Sequence, residues 1–255
     1  MTERQTNYTI AEGYTLPSNG LIYPTQFNPS VELRSMTARD EMKRLSPSAT
    51  PYKTMSEIIE GCLLEKLPVK VYDLAVPDYE FLLHKLRIVT YGDEFKMTLV
   101  CPHCGLPTET VAFLEELDVN ELDLDLFESL REVKLPASDH VVRLKYLTPR
   151  LIDEQTARVK ELRRKFKDAA LDFTVLVQTA SLIDSIDGVK TTLTTAETFI
   201  EKLPAKDLLK LIEGINLFNS SFGLDNALTV TCTNCGEDVD TFFRFGSEFF
   251  RPTNL

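Results

Sequence analysis

Four of the five cysteines in this 255-residue chain occur in two C-x-x-C-G turns. The first turn, CPHCG, begins at Cys101, and the second, CTNCG, begins at Cys232. Each stands between two strand-like runs, and its glycine suits a turn that needs a positive φ angle. Backbone N–H groups in such a turn can point at thiolate sulfur and stabilise its charge beside a metal. Because two such turns supply the four thiolates of a closed structural zinc site, we predict one zinc ion bound by Cys101, Cys104, Cys232 and Cys235.

Other uses of the cysteines are weaker interpretations. In a thioredoxin-type redox site the C-x-x-C opens a helix within a βαβ unit, and neither turn here does so. Disulfides are typical of secreted chains, whereas the N-terminal sequence MTERQTNYTI lacks the apolar segment of a signal peptide. A redox switch stays open as a third alternative. His103 could replace one ligand, although a full cysteine set makes this unnecessary, and Cys62 is predicted to be a buried apolar residue.

The composition indicates an acidic globular protein. Hydrophobic residues make up 43% and charged residues 26% of the chain, and the net charge is -11. Proteins that bind phosphate backbones usually carry clustered Lys and Arg, so the charge argues against nucleic acid as a partner. No apolar run approaches the roughly 18 residues of a membrane-spanning helix. We therefore expect a protein of the cytoplasm that does not insert into a membrane.

The two cysteine turns are unusually far apart, with 127 residues between Cys104 and Cys232. An internal duplication explains this separation, because the same parts occur twice in the same order. Each half has a hairpin, a helix that starts at a threonine, an apolar helix, a proline-led helix and a cysteine turn between strands. The two halves also share a sequence pattern: Val-x-Leu-x-x-x-Thr starts at Val31 and again at Val142.

The predicted fold class is therefore α+β, with two similar helix-rich halves related by a pseudo-twofold axis and joined by a split four-cysteine zinc ribbon. The first half spans residues 1–114 and the second spans 133–255. Residues 115–132 contain the acidic, alternating sequence EELDVNELDLDLFE, which is typical of a linker or an edge strand.

Several helices have clear sequence signals. Thr37 is predicted to cap a short helix, a second helix is predicted within TMSEIIEGCLLE, and a third runs from Asp78 until Gly92 ends it. Helices are also expected after Pro149, within FTVLVQTASLIDSIDG, and after Pro204. The apolar stripe of the third helix consists of Leu82, Leu83, Leu86 and Val89.

Sequence signatures of catalysis are missing. No glycine-rich phosphate-binding loop occurs, and His84, His103 and His140 stand in no nucleophile, metalloprotease or deaminase motif. A zinc ion held by four sulfurs has no open position for a catalytic water. We expect a protein that is not an enzyme and has no small-molecule substrate.

The blocks GLIYP, VELRSMTARDEMKRLS, YKTMSEIIEGCL and VYDLAVPDYEFLLHKLRIVTYGDEF, followed by CPHCG, resemble the baseplate hub and hub assembly proteins of T-even-like contractile-tailed bacteriophages. The resemblance covers most of the first half and, through the repeat, the second cysteine turn. It implies a structural or assembly protein of the tail baseplate or its hub, whose partners are other tail and baseplate proteins. It also implies a location in the host cytoplasm during assembly and in the baseplate of the virion.

An alternative from another class is a cytoplasmic zinc-ribbon regulator that binds nucleic acid or a transcription complex. The negative charge argues against it, and so does the lack of basic and aromatic residues around the cysteine turns.

Overall fold

The computed structural model describes residues 10–167, 172–243 and 247–250. The first part of the chain alternates antiparallel hairpins with helices. Its elements are β1 (Ala11–Thr15), β2 (Ser30–Arg34), α1 (Ala38–Leu45), α2 (Pro51–Cys62), α3 (Val76–Tyr91), β3 (Glu94–Val100) and β4 (Pro107–Phe113).

The remainder repeats much of this order and adds further elements. These elements are β5 (Val119–Asn120), α4 (Leu124–Leu130), β6 (Glu132–Lys134), β7 (Val141–Leu144), α5 (Pro149–Lys165), α6 (Phe173–Ser181), β8 (Ile183–Ile186), β9 (Val189–Lys190), α7 (Leu193–Glu201), α8 (Ala205–Asn219), β10 (Gly223–Leu224), β11 (Ala227–Thr231) and β12 (Asp238–Phe242). No described helix is long and apolar enough to cross a membrane.

The strands in the described part of the chain form five antiparallel sheets. Four sheets have two strands each, namely β1–β2, β3–β4, β11–β12 and β5–β10, and the fifth has the order β6-β7-β8-β9. The β5–β10 pair joins distant parts of the chain, since Val119 pairs with Leu224 and Asn120 with Gly223. It lies between the two cysteine hairpins along the chain and helps to fix one relative to the other.

Two large apolar clusters form the core. The first is built from β2, α2 and α3, and it includes Phe249 from the C-terminal part of the chain, whose ring lies 5.9 Å from that of Phe95. The second is built from α4, β6, β7, α6, α7 and α8. Because Phe249 reaches back into the first cluster, the C-terminal residues contribute to the core of the N-terminal part.

Most of the predicted helices are confirmed. Thr37 caps α1 in a capping box with Asp40, and Gly92, with a φ of 84°, ends α3. The whole predicted stripe of α3 is buried. Helix α5 begins at Pro149 and α8 begins directly after Pro204, close to the predicted starts, and Thr148 caps α5. The α2 helix begins at Pro51 and ends at Cys62, slightly earlier than its apolar pattern indicated.

The predicted helix within residues 173–188 is wrong in its second part. Helix α6 ends at Ser181, and Ile183–Ile186 form strand β8 instead. The reason is the Asp187-Gly188 turn, in which both residues have positive φ angles of 50° and 78°. An Asp-Gly pair of this conformation closes a tight β-hairpin, which here connects β8 to β9.

The acidic segment 115–132 contains more structure than a linker. It includes the short strand β5 and the helix α4, which Asp123 caps by accepting a hydrogen bond from the Leu126 N–H. Phe127 of α4 is buried, and its ring centroid lies 4.6 Å from that of Phe218 on α8. Phe127 also contacts Phe222, and Leu130 packs on the same cluster, so these apolar side chains place an otherwise acidic helix on the second core cluster.

Candidate metal centre

The two cysteine turns have the same backbone hydrogen bonds. Each turn closes a β-hairpin, β3–β4 or β11–β12, and the N–H of its first cysteine bonds across the hairpin. The Cys101 N–H donates to the Leu106 carbonyl at 3.0 Å, and the Cys232 N–H donates to the Glu237 carbonyl at 2.8 Å. The local sequence thus makes the same hydrogen-bonded turn twice.

A glycine follows the second cysteine of each turn for a conformational reason. Gly105 and Gly236 have φ angles of 73° and 77°, where a side chain would be strained. Each glycine N–H donates at 2.9 Å to the carbonyl of the first cysteine in its turn. The predicted need for positive φ is confirmed.

The four cysteine sulfurs meet in one cluster, with all Sγ atoms within 4.8 Å of one another. The Sγ atoms of Cys101 and Cys235 are 3.7 Å apart, and those of Cys104 and Cys232 are 3.8 Å apart. A disulfide would require about 2.05 Å, so these are free thiols placed side by side. Such a group can hold a metal ion.

Burial of the sulfurs is uneven. The first cysteine of each turn is enclosed, with Cys101 fully buried and Cys232 2% exposed, whereas Cys104 is partly buried and Cys235 is exposed. Val239 and Leu99 pack against the buried pair. The cluster therefore lies at the surface, with one side covered by apolar residues of both hairpins.

Polar groups around Cys232 favour its thiolate. The Thr108 hydroxyl oxygen lies 3.0 Å from the Cys232 sulfur, and the Asn234 N–H donates to the same sulfur at 3.4 Å. The Thr108 hydroxyl, followed by the backbone N–H groups of Asn234 and Cys235, lowers the pKa of Cys232 below that of an ordinary thiol. Cysteine ligands of a metal must be deprotonated, so these contacts favour the form of Cys232 that a metal ion would need.

The two hairpins are also tied together beyond the sulfurs. The Asn234 side chain donates to the Pro107 carbonyl at 2.9 Å, next to the cluster. Towards the other end of the hairpins, the Asp225 N–H donates to the Asp118 carbonyl at 2.8 Å. One bond therefore links the hairpins directly beside the sulfurs, and the other joins the segments that follow β4 and precede β11.

A sequence model of the T4 bacteriophage base plate protein family matches residues 10–251, which include both cysteine turns and both core clusters. The chain belongs to this family. No curated protein and no solved structure matches it. Membership confirms the resemblance to phage baseplate proteins and implies a place in the virion tail, in contact with other tail proteins.

Thr108 and Asn234 are parts of this base plate protein's site that the sequence analysis missed. Asn234 lies within the second C-x-x-C turn, and an amide side chain at that position is a sequence signal for a hydrogen bond beside the sulfurs. Thr108 lies four residues after Cys104 on β4, and only the partner hairpin makes it a neighbour of a sulfur. No local pattern indicates that contact.

The remaining candidate residues of the base plate protein lie outside the cysteine cluster. Among the described residues, no histidine belongs to a group that could hold a metal. His84 is buried and bonds the Leu114 carbonyl through Nε2 at 2.8 Å, and burial lowers its pKa to about 4. His140 bonds Asp187 at the surface. Cys62 is fully buried in the first core cluster, as predicted, and burial raises its pKa to about 11.

Proposed function

We propose that this base plate protein is a non-enzymatic structural or assembly component of the baseplate hub, in which one zinc ion holds the two cysteine hairpins together. The observation that carries the proposal is the meeting of four sulfurs from hairpins 127 residues apart in the sequence. A contact over this separation fixes the relative orientation of the two parts of the chain.

The sulfur geometry supports zinc as the metal. In a tetrahedral site with Zn–S bonds of about 2.3 Å, neighbouring sulfurs are about 3.8 Å apart. Two sulfur pairs in the cluster are 3.7 and 3.8 Å apart, and all four sulfurs lie within 4.8 Å of one another. Four soft thiolate ligands in this arrangement suit zinc. When bound, zinc supplies cross-linking, and the four sulfurs leave no position for a catalytic water.

Two buried aspartates support an internal duplication. Asp78 and Asp207 each occupy the third position of a helix, α3 and α8 respectively, and each accepts backbone N–H groups from the loop of a preceding hairpin. Asp78 accepts from Ser18 in the loop LPSNG, and Asp207 accepts from Ala137 and Ser138 in the loop LPASD.

The threonine caps fit the same interpretation. Thr37 and Thr148 stand at corresponding places after β2 and β7, as the repeated Val-x-Leu-x-x-x-Thr pattern predicted. The elements β8, β9 and α7, within residues 183–201, have no counterpart between α2 and α3. We propose that they are an insertion into the second copy of a duplicated unit that the zinc ion joins to the first.

A zinc-held orientation suits a scaffold. A module that is rigid before it docks loses less conformational freedom on binding, so more of the contact energy contributes to assembly. We propose that the protein acts in the host cytoplasm during assembly and that its partners are tail and baseplate proteins.

The test combines Cys101→Ser and Cys104→Ser, with Cys62→Ala as the matched cysteine control outside the cluster. Elemental analysis should find about one zinc per wild-type chain and per control chain, and none in the double variant. In a phage that lacks the wild-type gene, the double variant should fail to support tail assembly. Normal assembly by a metal-free double variant would refute the proposed role of zinc.

A further inference from the structure

An apolar groove of about 410 Å³ lies on the first core cluster. Its size falls within the range of about 300–1,000 Å³ that is typical of binding pockets. Helices α2 and α3 supply most of it, and α5 contributes Ile152. The large side chains that line it are Tyr52, Met55, Ile58, Tyr79, Leu83 and Phe250.

One carboxylate belongs to the lining of this groove. Glu80, on α3, is partly buried, and its carboxylate makes no hydrogen bond or ion pair with any residue in the described part of the chain. Burial raises the pKa of its carboxyl group to about 7. An ionised carboxylate among apolar side chains is unfavourable unless a cation or hydrogen-bond donor accompanies it.

The cation that lines the groove already has a partner. The Arg44 guanidinium binds Glu41 through two hydrogen bonds of 2.8 and 2.6 Å, and its Cζ lies 5.5 Å from the ring centroid of Phe250. Its charge is therefore balanced within α1. The uncompensated charge among the described groove residues is the negative charge of Glu80.

We infer that this groove binds a lysine or arginine side chain, flanked by apolar residues, from a segment of another tail protein. The methylene stem of such a side chain can pack on Met55 and Leu83 while its charged end reaches Glu80. The rings of Tyr52 and Tyr79 offer additional attraction for a cation. A charge pair in this sheltered setting is stronger than one at an open surface.

The protein partner in this inference rests on the proposed function, but the preference of the groove for a cation does not. The preference can be tested with hexylammonium, using hexanol and hexanoate as neutral and anionic probes of the same length. Binding is followed by NMR through the methyl groups of Met55, Ile58 and Leu83 in the full-length protein at pH 8. We expect hexylammonium to shift these signals and to bind more tightly than either other probe.

The decisive variant is Glu80→Gln, which keeps the shape of the side chain and removes the charge. It should weaken hexylammonium binding about tenfold and leave hexanol binding unchanged. Glu65→Gln, at an exposed position after α2, is the matched control and should behave as wild type. Equal binding of hexylammonium and hexanol, or an unchanged affinity in Glu80→Gln, would overturn the inference.

A further variant distinguishes binding of a partner in the groove from occupation of the groove by this chain's own residues. Arg251 follows Phe250 in the sequence and lies outside the described residues. If Arg251→Gln strengthened hexylammonium binding about tenfold, the occupant would be this chain, and the inference of a partner would be wrong.

In the phage, Glu80→Gln should impair tail assembly while retaining zinc. Normal assembly by this variant would refute the docking role and leave the zinc-held scaffold unaffected.

Discussion

The Thr108 hydroxyl oxygen on strand β4 lies 3.0 Å from the Sγ atom of Cys232, which belongs to the opposite hairpin. The contact crosses the junction between the hairpins and is not repeated by symmetry. In the second hairpin, the residue four positions after the second cysteine is Val239, which is buried. The first hairpin therefore supplies a polar neighbour, Thr108, to a sulfur of the second hairpin. At the corresponding position the second hairpin has Val239, which supplies apolar packing.

Thr108→Val should weaken metal binding without abolishing it. The substitution keeps the shape of the side chain and removes the hydroxyl group that stabilises the Cys232 thiolate. Loss of one such outer contact typically lowers metal affinity about 10–100-fold, and we expect the lower end because backbone N–H groups remain. Competition with a chromogenic zinc chelator measures the change. Thr98→Val, at an exposed position on the neighbouring strand β3, should have the affinity of wild type.

Asp78→Ala should destabilise the first half strongly. The carboxylate accepts hydrogen bonds from the Ser18 N–H at 3.0 Å and from the hydroxyls of Ser18 and Tyr23, both at 2.5 Å. Removal leaves these buried donors without their acceptor, and we expect a loss of about 2–4 kcal/mol in the free energy of unfolding. Urea denaturation measures this loss.

The control for this experiment is Asp125→Ala, in the first turn of α4, where the side chain is exposed. It should change the free energy of unfolding by less than about 1 kcal/mol. Asp207→Ala should lower stability in the same direction as Asp78→Ala, because it removes the acceptor for Ala137 and Ser138. A loss for Asp78 alone would contradict the equivalence of the two anchors.

The meeting of the four cysteines follows well from the sequence because its chemistry is local. A C-x-x-C-G turn specifies its own backbone conformation, and two such turns together supply the four thiolates of a metal site. The α3 helix was equally predictable, since Leu82, Leu86 and Val89 repeat at helical spacing and Gly92 ends the pattern.

Contacts over long sequence separations could not be predicted in this way. Asp78 and Asp207 are found in ordinary proline-led helix starts, and only the folded chain shows that each binds a hairpin loop. Strand β8 was missed because a short apolar run fits a helix and a strand equally well. The Asp187-Gly188 turn was the local signal that could have distinguished them.

Gly214→Ala should lower stability although alanine is the better helix former. A Cβ atom at this position of α8 would lie 2.4 Å from Cγ2 and 3.3 Å from Cγ1 of Val133 on β6. Valine cannot turn away easily, because its χ1 angle is restricted. Overpacking costs about 1–3 kcal/mol, and an approach of 2.4 Å belongs to the upper part of that range, above the gain in helix propensity of about 1 kcal/mol. Chemical denaturation should show a net loss of stability.

Gly61→Ala is the matched control within α2. No atom lies within 4 Å of a Cβ placed there, so the gain in helix propensity should appear alone, as a stabilisation of about 0.5–1 kcal/mol. Gly214→Ala should cost less stability in a protein that already carries Val133→Ala than it costs in wild type. If both glycine variants had the same effect, the close approach of α8 to β6 would not explain the glycine at position 214.

Glu80→Gln should stabilise the protein, and the gain should depend on pH. The folded structure raises the pKa of Glu80 from 4.5 to about 7, so the folded state binds this proton more tightly than the unfolded state does. For wild type, the Glu80 contribution to stability falls as pH rises from about 4.5 to 7, and the full cost is present above that range. Glutamine has no charge to bury and avoids this cost.

Urea denaturation of both proteins should therefore show little difference at pH 4.5 and an advantage for Glu80→Gln of about 3 kcal/mol at most at pH 8. Because the two proteins are compared at the same pH, the titration of other groups cancels. An advantage of equal size at both pH values would show that the carboxylate in the groove is not the source of the effect.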